Sequence, residues 1–332
     1  VTTLSTVLIL LACAAVIYLS CEYFVNGVEW LGLQFGVNKN AVGTVLAACG
    51  TALPESVVTF VAVVSGHSAA EKQIGVGAAL GGPLVLATVA YAVVGLSFLA
   101  FRRSPATAML SPREQRRLGV DQAWFLWIFA AKVALGFVVF RYKPWLGVAF
   151  LLAYAIYTWR EITAVAEIGV AEVELEPLKI RPRDANPPRS WALLQTAFAL
   201  AVTFLGSEVF VRELAALSPV LGISTQLTAL LVSPIATELP ETLNAIIWLR
   251  QGKATLALGN ISGAMMIQAT VPSALGIFFT PWLFDRALTI AAAVTLASIA
   301  LMWLLLRAGL LSAGRLAWFG ILYFAFAALL VL

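Results

Sequence analysis

EYFVNGVEWLGLQFGVNKNAVGTVLAACGTALPES, from Glu22 to Ser56, lines up without a gap against EVFVRELAALSPVLGISTQLTALLVSPIATELPET, from Glu208 to Thr242. Glu22 meets Glu208, Gly36 meets Gly222, Thr51 meets Thr237, and Leu53-Pro54-Glu55 meets Leu239-Pro240-Glu241. Beyond a loop that is four residues longer in the first copy, Gly77, Gly81 and Thr88 meet Gly259, Gly263 and Thr270. The chain is an internal duplication, and its repeating unit must be found before any element is assigned.

What surrounds the two copies is apolar. Hydrophobic residues make up 61% of the 332 and charged residues 11%, and the mean hydropathy is +0.94, against an apolar share of roughly 45–50% in soluble domains. Apolar stretches near the ~20 residues that cross a bilayer recur throughout. They lack the alternation of barrel strands, so the fold class expected is an all-α membrane protein. Spans are expected at about 4–24, 41–65, 74–100, 122–140, 145–160, 191–213, 224–249, 255–280, 286–306 and 315–332. The opening run resembles a secretory h-region, but its later counterpart argues that it stays in the mature chain.

Ten spans in two sets of five give domains at 1–160 and 191–332, joined by a polar linker at 161–190. An odd number per set makes the second copy enter from the opposite face, so the repeats are inverted. Such folds put the substrate site near the midplane, where interrupted helices of the two halves meet. Loops after odd-numbered spans carry about fifteen Lys and Arg, against about four on the other side. Both termini are therefore expected outside and the linker in the cytoplasm, with a prokaryotic plasma membrane the simplest location.

Other classes lack their raw material. Cys13, Cys21 and Cys49 lie inside apolar stretches and imply no disulfide framework. His67 is the single histidine, which leaves nothing for zinc clusters or histidine triads. The net charge of +4 comes from short basic clusters between spans, read as topology determinants and not as a nucleic-acid surface. An intramembrane aspartic protease needs paired aspartates, yet Asp121 and Asp285 stand at span ends. A channel remains as an alternative that needs no charge balance between cargoes. No cofactor and no obligatory protein partner are expected; the partners are the lipid bilayer and inorganic cations.

The chemistry sits in GTALPES, Gly50–Ser56, and ATELPET, Ala236–Thr242. A carboxylate mid-span costs roughly 2.5–3.5 kcal/mol on insertion scales, so Glu55, Glu241 and Glu238 need a partner or a use. Each proline removes an amide and frees the carbonyl four residues back, on Gly50 and Ala236. Glu55 and Glu241 with Thr51, Thr237 and those carbonyls form an all-oxygen set suited to a hard cation such as Ca2+. Their charge of −2 balances one divalent ion, two Na+ or two H+, which is the basis of an exchange.

The paired motifs, each followed by a glycine-rich helix (GVGAALGG, GNISGAMM), resemble the alpha repeats of the calcium/cation antiporter superfamily, nearest its sodium/calcium exchanger branch. The resemblance implies an inverted-repeat antiporter with Glu55 and Glu241 as central ligands, helped by Thr51 and Thr237. It also implies alternating access, with the first and sixth helices sliding against the remainder. Where that branch reads GNxxGSNxxN, this chain has Ala78, Gly82, Pro83 and Leu86 in place of the polar side chains, while the second half keeps Asn260 and offers Gln268. Gly-Ala-Met-Met-Ile-Gln is similar to the matching helix of proton/calcium exchangers. The expected function is exchange of Ca2+, or a similar divalent cation, for Na+ or H+, with a purely H+-coupled exchanger lacking sodium sites as the alternative.

Several residues carry two readings. Glu238 replaces the family's serine and either holds a proton or faces an aqueous vestibule. Glu22 and Glu208 are structural acids or a proton relay, with Arg212 the expected neighbour of Glu208. Lys132 is expected to be paired or snorkelling. Asn260 and Gln268 are ligands or interhelical glue, and Met265 and Met266 pack.

Overall fold

A computed structural model describes residues 3–35, 53–101, 110–168, 176–250, 252 and 254–331. Among these the regular structure is helical throughout. The helices are α1 (Thr3–Gln34), α2 (Leu53–Phe60), α3 (Ala69–Val85), α4 (Tyr91–Phe101), α5 (Pro112–Leu135), α6 (Leu146–Ile168), α7 (Arg189–Leu221), α8 (Thr225–Thr237), α9 (Leu239–Arg250), α10 (Ala254–Phe279), α11 (Arg286–Arg307), α12 (Ala313–Ala317) and α13 (Phe319–Val331). A π turn at Val61–Ser65 extends α2, and another at Leu86–Ala90 joins α3 to α4. The second follows Pro83, whose missing amide and bulky ring disturb the hydrogen-bond ladder.

Among the described residues seven segments are long and apolar enough to cross a membrane: Leu4–Gln34, Ala69–Phe101, Pro112–Leu135, Arg189–Leu221, Ala254–Phe279, Arg286–Arg307 and Ala313–Leu330. Several run past the ends expected from hydropathy. The first continues from 24 to Gln34, and the span expected at 191–213 continues to Leu221. The span expected at 122–140 occupies Pro112–Leu135, begun by a Ser111–Glu114 capping box. Helix α6 continues through Ile168 into the expected linker, the segment 224–249 is broken at Glu238, and the last span is split at Trp318. Polar helix ends that stand clear of the hydrocarbon are invisible to a hydropathy window. Of the expected span 41–65, the part before Leu53 lies outside the described residues.

Helix starts follow from local chemistry. Ser68, Ser224, Asp285 and Ser312 each accept a hydrogen bond from the amide three residues on, satisfying a first-turn donor. Gly222 ends α7 at φ 67°, a left-handed position that favours glycine.

Helix α10 is the hub. Its most apolar window is 83% buried, against 50% or less for every other long span, and it packs on α2, α3, α5, α6 and α9. Helices α1 and α7 pack against each other along their length. The Ser20 and Thr203 hydroxyls meet at 2.8 Å between them. The segment after residue 175 ties the pair together. Asn26 Oδ1 accepts from the Lys179 amide and from Gln195 Nε2, both at 3.0 Å, and Gln34 Nε2 donates to Pro187 O at 2.8 Å.

Candidate cation site

The second LPE motif opens a helix. Pro240 falls in the first turn of α9, where a missing amide costs nothing because that amide has no intrahelical acceptor. Glu241 thereby stands at the positive end of a helix dipole, an arrangement that favours an anion, while Glu55 lies in α2, whose described part begins at Leu53. Glu55 is 1% exposed and Glu241 0%. In the second copy the break between half-helices falls at Glu238, with φ −100° and ψ −8°, whose amide donates to Pro234 O at 2.9 Å. Ala236 lies in the last turn of α8, beside that break. Gly50 and Thr51 lie outside the described residues.

Thr237 joins the two copies. Its Oγ1 lies 2.8 Å from Glu55 Oε2, 2.9 Å from Glu238 Oε1 and 3.2 Å from Ser233 O. A hydroxyl has one proton to donate, so it satisfies one of these acceptors at a time. Two buried carboxylate oxygens around one hydroxyl repel each other unless a proton or a cation shares the space. Gln268 Nε2 holds the far side of Glu238, donating to Oε2 at 2.7 Å. Glu55 Oε1 and Gln268 Oε1 are buried acceptors with no hydrogen-bond partner among the described residues, each costing about 1–3 kcal/mol if nothing else satisfies it. The donor set is carboxylate, hydroxyl and amide oxygen, which suits a hard cation.

The structure therefore brings together Glu55, Thr237, Glu238 and Gln268. Glu241 belongs to the next turn and interacts electrostatically with Tyr18 and Cys21 on α1. Among the described residues no three acidic, His or Cys side chains converge on one point, so a cation here needs hydroxyl, amide or backbone oxygens beside its carboxylates. Asn260 is buried on α10, but eight residues before Gln268, or about 12 Å along the helix.

Of the two readings of Glu238 the aqueous vestibule gives way: the side chain is 1% exposed and is held between Thr237 and Gln268. Glu22 accepts from Tyr18 Oη at 2.5 Å and from Lys179 Nζ at 3.1 Å, away from the cluster. Glu208 is exposed on α7, and it and Arg212 form no ion pair among the described residues. Met265 and Met266 are buried, and Tyr91 Oη approaches Met265 Sδ at 3.6 Å.

Two features escaped the sequence. A Cβ added at Gly82 comes within 2.9 Å of both Glu238 Oε1 and Gln268 Oε1, so the side chain absent from α3 is the space these two occupy. Lys132 does not snorkel: it is fully buried, with Nζ donating to Ala79 O at 2.9 Å. The signal for the first was the simultaneous loss at Gly82 and gain at Glu238.

A bundle of membrane-length helices around a buried, oxygen-lined cluster beside a broken helix defines an integral membrane transporter. The chain belongs to the sodium/calcium exchanger protein family, whose model matches residues 5–163 and 191–332. The inner membrane protein YrbG of Escherichia coli (strain K12) is 26% identical over 285 residues, covering 85% of this chain and 82% of YrbG. The solved structure of the H+/Ca2+ exchanger CAX superposes with a TM-score of 0.66 at 14% identity, over 98% of this chain and 89% of that one. The sodium-calcium exchanger NCX_Mj gives a TM-score of 0.58 at 21% identity, over 98% and 99%. At such identities the two structures bear on the fold.

Proposed function

We propose that the chain is a secondary antiporter that moves Ca2+, or a similar divalent cation, against H+ or Na+ by alternating access. The observation that carries this reading is the hydrogen bond from Thr237 to Glu55, which joins the two repeated motifs at a buried oxygen cluster. The reading includes ten spans as two inverted five-helix repeats, residues 1–160 and 191–332, with both termini outside and the connecting stretch cytoplasmic. Reciprocal packing supports it: α2 of the first repeat lies on α10 of the second, and α8 of the second lies on α3 of the first. Within the cluster Glu55, Thr237, Glu238 and Gln268 are the ligands or proton holders, with Glu241 and Thr51 completing the set.

Protons are favoured over sodium as counter-ion. Ala78, Gly82, Pro83 and Leu86 are buried along α3 and its π turn and offer no side-chain oxygen to a second or third ion. Glu238 adds instead a carboxylate that binds a proton as readily as a metal. In proteoliposomes loaded with 45Ca2+, a pH gradient alone is expected to drive release faster than a sodium gradient alone. A strict sodium requirement refutes the proton reading, and conductive flux without counter-transport refutes antiport.

A further inference from the structure

Residues 176–188 read EPLKIRPRDANPP, with four prolines in thirteen residues, a composition whose fixed φ angles leave little freedom to lose on docking. A turn stiffens the middle: the Arg181 amide donates to Leu178 O at 2.7 Å, and the Arg181 guanidinium pairs with Asp184 at 3.3 Å. Leu178 is fully buried although it lies in no helix.

Side chains of α1 and α7 hold this stretch by its backbone. Asn26 of α1 is buried; its Nδ2 donates to Glu176 O and Pro177 O at 3.4 and 3.3 Å, and its Oδ1 accepts from the Lys179 amide and from Gln195 Nε2, both at 3.0 Å. Trp30 Nε1 donates to Glu176 O at 3.1 Å and Gln34 Nε2 to Pro187 O at 2.8 Å. From α7, the buried Gln195 accepts from the Ile180 amide at 3.0 Å and donates to Tyr23 O of α1 at 2.7 Å. Lys179 Nζ meets Glu22 Oε2 at 3.1 Å. Among the described residues, the hydrogen bonds that 176–188 makes beyond itself go to α1 or α7. The positions equivalent to Asn26, Trp30 and Gln34 in the second copy are Arg212, Ala216 and Val220, all exposed, so the duplication does not repeat this fastening at the other end of the pair.

We propose that residues 176–188 form a strap that fastens α1 to α7 at one end and stays closed throughout transport, so that strap and helices travel as one unit against the bundle around α10. The proposal rests on the alternating-access reading above. Drawing α1 away from α7 strips two buried amides, Asn26 and Gln195, of their partners, and buried amides left unpaired are costly. Motion that keeps the strap closed avoids that cost.

The test uses the full-length protein with Cys13, Cys21 and Cys49 replaced by alanine and carrying Glu22→Cys and Lys179→Cys, whose native side chains meet end to end. A short bis-methanethiosulfonate joins the two thiols in detergent before reconstitution, and 45Ca2+ uptake into proteoliposomes is compared with and without the cross-link. The cross-linked protein is expected to keep its uptake rate within about 2-fold. Adding Asn26→Leu, which deletes the central clasp at similar volume, is expected to lower the rate about 10-fold with the Ca2+ concentration for half-maximal uptake unchanged, and the cross-link then restores most of the rate. A cross-link that stops uptake shows that the strap opens during the cycle; a normal rate in Asn26→Leu, or a loss that the cross-link does not restore, shows that fastening is not what Asn26 supplies. Each overturns the proposal and leaves the antiporter reading intact. Should the Asn26→Leu protein fail to elute as a monodisperse species, Gln34→Leu, which removes a single bond nearer the surface, takes its place, with about a 3-fold loss that the cross-link must restore. Wild-type vesicles that take up no 45Ca2+ under any cation gradient remove the antiporter reading and this inference with it.

Discussion

Among the described residues the two repeats contribute unequally to the cluster. From the second come Thr237, Glu238 and Gln268, each with a polar atom bonded inside it; from the first come Glu55 and, at Gly82, a space. One copy supplies a wall of backbone and small residues, and the other reaches across with long polar side chains. Duplicated sequences need not stay chemically equivalent to share one site. A ligand lost from one helix is replaced by volume, provided the facing helix gains a group able to fill it.

The LPE acids are the part of the comparison where the halves remain alike. Glu55→Gln and Glu241→Gln are each expected to lower Ca2+ exchange in proteoliposomes by at least about 100-fold, or about 2.7 kcal/mol, while the variants remain monodisperse. Retained transport in either breaks the equivalence. The asymmetry is probed at Gly82, where a methyl group must displace Glu238 or Gln268. Overpacking of this kind costs about 1–3 kcal/mol, so Gly82→Ala is expected to raise the Ca2+ concentration for half-maximal uptake by roughly 10-fold. An unchanged value means that the Glu238–Gln268 pair is not part of the site.

The smallest effect is expected at Gly77, where a Cβ runs into Gln226 O and comes within 3.1 Å of Ala229 Cβ. Gly77→Ala is expected to destabilise by about 1–3 kcal/mol. Thermal unfolding in detergent checks it, and an unshifted midpoint would show that α3 and α8 do not pack closely at this point.

Much of the site was legible because its residues break local rules. An acid after a proline within an apolar run is costly enough to announce a use, and its recurrence in a second copy at the same place pointed to Glu55, Glu241 and Thr237. Glu238 was visible as an excess acid, but its partners were not, because Gln268 and Gly82 come from other helices. For Lys132 the sequence left pairing and snorkelling open for the same reason. A lysine near a helix end and one aimed into the bundle look identical in one dimension, and only the packing of α5 against its neighbours tells them apart.

The sequence by itself determined the membrane setting, the helical class and the acidic helix break that precedes Pro240. These follow from hydropathy, from periodicity and from the steric consequences of proline, all of which act within a few residues. Tertiary structure alone decided which oxygens share a space, that Gly82 is occupied by its neighbours' side chains, and that a buried ammonium bonds to Ala79 O. Those outcomes depend on contacts between helices far apart in the chain, and on a low-dielectric interior where one charge sets the terms for the others.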